Sequence, residues 1–571
     1  MNASTRRTDV LVCGAGPAGL LTAIGLEQQG ISTFVIDKRL PDEQAAAGRA
    51  TTLYPRSLEF LEQLDVVDDV TQEGFVARAD ATFNHGLRIT QRGWHEIYTG
   101  MRETHHDYLV NIRQRYSEDI FRAKYASVSG KTISFGWELV NFQVEKLEED
   151  EDNVTVIIAN HKLGQEARIR CKYLLGADGG SSTVRRLAGI AMEGEETTMK
   201  WIRLDGKLIT DMPDANLGFS AIETKTHGNV LWVKLDKDAH RIGISLSPQL
   251  REKYCDGITQ EQAVAEAVQS MHPFKLDVQR VDWWTLYSIK QKVAATLQHN
   301  NFIFLAGDAA HTHSSGFAQG MNTAVHDATN LIWKLAGTLK GWYPPSTVLP
   351  TYAAERHAAA KKLISIDMAG SAAISGSIPA GYGSEGADPD AILTRIVADN
   401  LPFTLGLGVA YGPSCINQTV NTTSVEPGVR APDALVRHPG VRLPRRLQEV
   451  ALASGRGKWT VLVFGGWHLV TKERVNALRE EIKEGGLGKP TQEMLNLATV
   501  IIGVAGNAWD AFGGPAIGRL YFDSEGEAHA RYCISLDDGA IVVIRPDGVF
   551  GFAARLQELA KVRKYFDGFC A

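Results

Sequence analysis

Cysteine is scarce in this chain, and none of it is arranged for shared chemistry. The six stand at positions 13, 171, 255, 415, 533 and 570. No two form a CxxC, which excludes a zinc ribbon and a thioredoxin-type dithiol. Such wide scatter in a large chain fits reduced thiols and a cytoplasmic location. Long hydrophobic runs are also missing: no stretch of 18 or more apolar residues occurs, so no membrane-spanning helix and no membrane partner are expected. Positive charge is not in excess. Lys and Arg number 60 against 66 Asp and Glu, a net charge of −6, which argues against a nucleic-acid partner. Residues 10–26, behind Arg6 and Arg7, have the apolar character of a signal segment. Gly14, Gly16, Pro17 and Gly19 interrupt them, and a phosphate-binding turn explains the stretch better.

What is present is an alternation of strand and helix over 571 residues, enough for two to four domains. Residues 9–13 read as a buried strand, 17–29 as a helix and 33–37 as a second strand. Residues 130–180 read as strands, and 195–290 as strand-like throughout, with alternation at 229–234 and 241–246. A strand at 302–306 precedes a helix over 319–339. Gly, Ser, Ala and Pro crowd 371–390, which suggests a loop. From about 440 the alternation restarts. Strands are expected at 459–464, 498–504, 528–534 and 540–544, and helices at 471–484 and 552–565.

Three segments carry chemistry. In the first, Gly14-Ala-Gly16-Pro17-Ala18-Gly19 follows a strand and opens a helix. The first glycine permits the tight turn, the second lets backbone approach a pyrophosphate, and the third lets helix and strand pack closely. The free N–H groups at the helix start favour phosphate. Asp37 ends the second strand, where a carboxylate can accept a ribose hydroxyl, and Lys38 follows it. The second segment is Gly307-Asp308, running through His311 and His313 to Gln319-Gly320-Met321-Asn322. Asp308 can bind a ribitol or ribose hydroxyl, and the helix after Gly320 can face a flavin edge that becomes negative on reduction. His311 and His313 form an HxH pair, but no third ligand stands at metal spacing, so a structural pair is the preferred reading and no metal is expected. The third segment is Asp178-Gly179-Gly-Ser-Ser182-Thr-Val-Arg185. Read alone, it is a helix start capped by Asp178 or Ser181.

In this order the three segments resemble the class A flavoprotein aromatic hydroxylases. Gly48-Arg49-Ala50 resembles a further stretch of that family, in which the arginine lies near FAD. Gln114 falls where the family has an FAD-contacting glutamine, and 427–433 also matches. Residues from 440 resemble the thioredoxin-like carboxyl domain of the phenol 2-monooxygenase subgroup. The resemblance implies an α/β and α+β protein. Residues 1–190 and 291–370 would form a Rossmann-like FAD-binding domain, and 191–290 an inserted β-sheet substrate domain. Residues 371–439 would form a linker or helical region, and 440–571 a tail that serves dimerisation. It implies an enzyme that uses NADPH or NADH and O2 to hydroxylate a small aromatic substrate through a flavin C4a-hydroperoxide, as a homodimer. FAD would be held by Gly14, Gly16, Pro17, Ala18, Gly19, Asp37, Lys38, Arg49, Gln114, Asp178, Gly179, Gly307, Asp308, Gln319, Gly320, Met321 and Asn322.

The same resemblance makes Tyr287 the catalytic contact to the substrate hydroxyl, where a tyrosine can shift a phenol toward phenolate. A half-buried strand aromatic is the competing reading. Three positions depart from the subgroup. Thr51 stands where an aspartate is usual near the flavin. Lys292 replaces an arginine and so lacks its bidentate fork. The loop Ser314-Ser315-Gly316-Phe317-Ala318 has no proline to stiffen it. Thr51 and the proline-free loop point to a substrate other than simple phenol. Epoxidation, dearomatisation or Baeyer–Villiger insertion on the same fold, and a flavin-binding scaffold without turnover, stay open at this stage.

Overall fold

A computed structural model describes residues 6–45, 50–89, 96–101, 103–145, 153–383, 386–441, 443–452, 457–504 and 506–571. Its first sheet has a parallel centre. Strand Arg6–Cys13 lies between Gln165–Gly176 and Thr33–Asp37, and Ile303–Leu305 extends it beyond Gln165–Gly176. Both faces are covered, so the centre reads as continuous apolar residues: Val10, Leu11, Val12, Leu174, Leu175, Phe304 and Leu305 are all fully buried. Helix Pro17–Glu27 packs on this sheet and against the buried helix Gln319–Leu339. The register pairs Cys13 with both Ile36 and Gly176, and Gly176 with Leu305. All four strands therefore end together, and the loops carrying Gly14, Asp37, Asp178 and Asp308 leave one edge. In parallel α/β sheets, ligands bind at this carboxyl edge.

The second sheet is mostly antiparallel. Its centre runs Leu276–Ala294, Met192–Thr210, His240–Ser245, Gly228–Lys234, Gly218–Thr224 and Ala79–Asn84. One face is apolar and packs on helix Gln260–Ser270 through Ile202, Leu204, Ile242, Ala263 and Ala267. That helix breaks the strand-like reading of 195–290. Thr259 accepts from Gln262 N–H while the Gln262 side chain accepts from Thr259 N–H, a reciprocal cap that favours helix over strand. Arg113, at the start of helix Gln114–Ser129, ties that helix to the second sheet. It donates to Asp236 from Nε (2.9 Å) and Nη2 (2.6 Å), and to Asp282 from Nη1 (2.7 Å).

The tail holds a five-stranded sheet in the order Arg519–Asp523, Leu495–Ile502, Trp459–Gly466, Ala540–Ile544, Phe550–Ala554, with helix His468–Gly485 packed on it. The strand expected at 528–534 is instead helix Glu527–Arg531 and a turn. Asp523 accepts from His529 N–H (3.0 Å) and from His529 Nδ1 (2.8 Å), which satisfies a free donor of that helix start. Residues 550–554 are strand and the last helix is Leu559–Asp567, later than the expected 552–565.

Candidate active site

One cavity of about 1360 Å³ runs from the nucleotide-type turn to the inner face of the second sheet. At one end it is lined by Gly14, Gly16, Pro17, Ala18, Asp37 and Lys38. In the middle it is lined by Gln114, Glu118, Asp178, Gly179, Gly307, Asp308, Gly320 and Met321, and at the far end by Arg203, Arg241, Trp283 and Tyr287. Segments far apart in sequence meet here because the parallel strands end in register.

The glycine turn has the shape its spacing predicts. Gly14 has φ +109°, and a Cβ there would lie 2.1 Å from the Ala177 carbonyl oxygen. At Gly19 a Cβ would lie 2.0 Å from the Gly14 carbonyl oxygen, so Gly19 packs the helix on the turn and lies outside the cavity wall. A Cβ at Gly16 would meet nothing within 4 Å. Gly16 is also the N-cap of the following helix and offers no side-chain acceptor, so the first helical N–H groups are open to the cavity. Asp37 accepts from Ala15 N–H and from Arg39 N–H, both at 2.8 Å, and its remaining lone pairs face the same space.

Asp178 caps the helix Thr183–Leu187: Oδ2 accepts from Thr183 N–H (2.7 Å) and Val184 N–H (3.2 Å), and Oδ1 from Ser182 Oγ. The capping reading of this segment is thus correct, while Gly179, at φ +83°, stays in the cavity wall with open space beside it. Arg185 joins the second and third segments, donating to the carbonyls of Ala309 (2.8 Å) and Gly180 (2.9 Å). It is the last residue of the Asp-Gly segment, and only the fold reveals what it binds.

Gln319 and Asn322 are not turned to the cavity. Gln319 Nε2 donates to the Thr404 carbonyl (2.9 Å). Asn322 accepts from Tyr54 N–H (2.8 Å) and donates to the Thr52 carbonyl (2.9 Å). They fasten the helix start, leaving Gly320 and Met321 at the wall. That 21-residue helix begins at Ala318, φ +52°, with no side-chain cap, so its positive end is also open to the cavity. Arg49 lies outside the described residues.

Gln114 donates to Glu118 Oε1 (2.8 Å) and accepts from Ala50 N–H (3.2 Å). Burial pushes the Glu118 carboxyl up to about 7, against the weaker opposing pull of Gln114 and Arg122. Its Oε2 is buried, has no hydrogen-bond partner among the described residues and belongs to a residue of the cavity wall. A glycine cradle, two uncapped helix starts and an unsatisfied buried oxygen fit a dinucleotide cofactor.

His311 is held in a buried polar cluster. Its Nε2 bonds Asp327 at 2.8 Å, and Asp327 also accepts from Gly307 N–H (2.9 Å) and Arg356 Nε (2.7 Å). Burial alone would raise the Asp327 carboxyl, but His311 and Arg356 outweigh it and hold it at about 2. The proline-free loop is not slack either. Asp367, on helix Pro350–Ile374, accepts from Ser314 N–H (2.7 Å), Ser314 Oγ (2.5 Å) and Gln291 Nε2 (2.7 Å). A buried carboxylate does the stiffening in the absence of a proline.

At the far end, Tyr287 bonds Ser315 Oγ of this loop and packs edge-on to Trp201 at 6.4 Å. Thr51, standing where an aspartate was expected, is buried and accepts from Arg241 Nη1 at 3.3 Å. Arg241 in turn forms a fork with Asp205, Nε–Oδ1 2.6 Å and Nη2–Oδ2 2.8 Å. Lys292 bonds Glu196 (2.8 Å).

Comparison with known proteins agrees with this geometry. A family model described as an FAD binding domain matches residues 7–367. The chain belongs to this FAD-dependent family of monooxygenases. A second model, described as the phenol hydroxylase C-terminal dimerisation domain, matches residues 507–571. The flavoprotein is 27% identical to FAD-dependent monooxygenase ankC of Aspergillus thermomutatus, covering 98% of this chain and 97% of that one. It is 28% identical to phenol 2-monooxygenase fsqG of Aspergillus fumigatus, covering 100% and 97%. The flavin-dependent monooxygenase PieE, solved with FAD and substrate, superimposes with a TM-score of 0.77 at 20% identity, covering 98% and 99% of the two chains. The cofactor of this flavoprotein is FAD, and its class is oxidoreductase.

Proposed function

We propose that the flavoprotein hydroxylates a phenolic compound other than simple phenol, using NADPH or NADH and O2. The observation that carries this reading is the single cavity joining the glycine turn to an aromatic-lined sheet face. Bound FAD supplies electron transfer from the nicotinamide and activation of O2. In this reading residues 1–190 and 291–370 bind FAD, 191–290 hold the substrate and 371–439 connect them to the tail. Gly14, Gly16, Pro17 and Ala18 meet the pyrophosphate, supported by Gly19. Asp37 and Lys38 meet the adenosine ribose, with Gln114 and Glu118 beside it. Asp308 meets the ribityl chain, while Gly320 and Met321 face the ring edge. Asp178 and Gly179 shape the wall between them. Arg49 carries only the expectation drawn from the family stretch.

Tyr287 holds the substrate hydroxyl. A hydrogen bond to that group favours the phenolate, which raises electron density at the ring carbon to be oxidised. Ser315 fixes the tyrosine hydroxyl, and Asp367 fixes the loop that carries Ser315. Tyr287→Phe is expected to slow hydroxylation by about 100-fold while changing flavin reduction by less than about threefold. Stopped-flow reduction followed by product yield reads both; equal hydroxylation by the two proteins removes Tyr287 from the chemistry.

We also propose a homodimer built on residues 440–571. The match to a dimerisation domain supports it, as do Trp467, Leu469, Val470, Val504 and Trp509, which are apolar and exposed. The first three follow strand Trp459–Gly466 and Val504 follows its parallel neighbour Leu495–Ile502, so they share one sheet end. Leu469→Glu with Trp509→Glu is expected to give monomers in sedimentation velocity. A dimer that persists in this variant places the interface elsewhere. A cytoplasmic location belongs to the same proposal, supported by six cysteines of which none forms a disulfide among the described residues, and cell fractionation checks it.

A further inference from the structure

Residues Trp201, Arg203 and Asp205 alternate onto the cavity face of the second sheet, beside Arg241 and Gly243 on one neighbouring strand and Trp283 and Tyr287 on the other. The two arginines of this face are treated differently. Arg241 is neutralised by its fork with Asp205. Arg203 is 5% exposed, and no carboxylate pairs with it among the described residues. Among the described residues its guanidinium makes one long hydrogen bond, Nη1 to the Ile202 carbonyl at 3.3 Å, and it lies 4.7 Å from the Trp201 ring centroid. Gly243 opposite makes room for it: a Cβ there would lie 2.2 Å from Nη1. An arginine has five donors and keeps its charge, and leaving such a group buried without an anion is costly. The sheet therefore holds a planar cation with no ion-pair partner among the described residues, at the wall of the pocket that also contains Tyr287.

We propose that Arg203 is the specificity-determining residue for a planar oxyanion on the aromatic substrate, a ring carboxylate or an ionised enol, while Tyr287 takes the hydroxyl. This rests on the aromatic-hydroxylase reading above and narrows its substrate to acidic phenols. Tyr287 faces Trp201 across the ladder, and Arg203 stands two residues further along, roughly 7 Å. That is the scale of two substituents on one ring. A guanidinium matches a carboxylate with two parallel hydrogen bonds, which a neutral amide of the same shape cannot reproduce.

The test uses the full-length FAD-loaded protein with benzoate and benzamide as probes, read by perturbation of flavin absorbance and by Tm. Benzoate is expected to bind at least about tenfold tighter than benzamide. Arg203→Gln should abolish that preference, and Arg203→Lys should keep part of it. The flavin content of both variants should equal that of the parent. Equal binding of the two probes to the parent, no effect of benzoate, or a preference that survives in Arg203→Gln overturns the proposal. So does a loss of FAD with the preference intact, since it would assign Arg203 to the cofactor. Should Arg203→Gln not fold, the parent comparison and the Lys variant still decide. Turnover separates this from the broader reading. Equal kcat/KM for 3-hydroxybenzoate and for 3-hydroxybenzyl alcohol sinks the Arg203 assignment and leaves the hydroxylase. Benzoate selectivity with no phenol-stimulated NAD(P)H oxidation does the reverse.

Discussion

Gly14→Ala is expected to purify without colour. The position has φ +109°, where a side chain is strained, and the added methyl carbon would lie 2.1 Å from the Ala177 carbonyl oxygen. That carbonyl is backbone at the end of a buried strand and cannot step aside as a flexible side chain could. Relieving the clash separates the glycine turn from the Asp-Gly segment, so two parts of the wall are displaced together. FAD affinity should fall by at least about 100-fold, equivalent to about 2.7 kcal/mol, and the fold should lose stability as well. Gly16→Ala is the control. Its Cβ meets nothing within 4 Å of protein, so stability should be nearly unchanged while the methyl group intrudes on cavity space. Flavin fluorescence titration gives the affinities and urea unfolding the stabilities. Gly14→Ala protein that binds FAD as the parent does would refute the turn as a phosphate cradle.

Arg545→Met is expected to lower stability by about 3–5 kcal/mol, the range for breaking a buried ion pair from one side. Arg545 is 1% exposed and ties the tail to the FAD-binding part. It bonds Glu355 through Nη1 (2.6 Å) and Nη2 (3.0 Å), and Asp547 through Nε (3.0 Å) and Nη2 (2.6 Å). Lys334 also reaches Glu355 at 2.7 Å; burial pulls that ammonium down to about 8, with Glu355 opposing. Removing the guanidinium leaves two buried carboxylates facing one weakened lysine. Pairing Arg545→Met with Glu355→Leu should recover part of the loss, because Asp547 and Lys334 then remain as one buried charge of each sign instead of an excess of carboxylate. Denaturant unfolding of the FAD-loaded protein measures this. A loss below about 1 kcal/mol, the value of a surface pair, would mean the cluster is open to water.

The nucleotide end of the site was legible because phosphate recognition is local. A tight turn, a close backbone approach and a helix start must follow one another along a single stretch, and each leaves a glycine at a fixed spacing. The substrate end was not. Asp367 braces Ser314 from 53 residues away, so the missing proline read as looseness where a carboxylate supplies stiffness. Residues 528–534 read as strand within the restarted alternation, while the Asp523 cap that favours helix Glu527–Arg531 lies outside that pattern. Tyr287 entered only through resemblance, since a tyrosine on an alternating strand has no spacing that marks it.

The sequence by itself determined the FAD-type turn, the end of the second strand at Asp37 and the strand-helix order that brings the segments to one edge. These are properties of consecutive residues. Only the tertiary structure decided that Asp178 caps a helix, that Gln319 and Asn322 fasten backbone, and that Arg203 forms no ion pair among the described residues while Arg241 is paired with Asp205. Whether a buried charge is paired depends on which strands lie side by side, and in this sheet the answer turns on Asp205 and Gly243 across two registers.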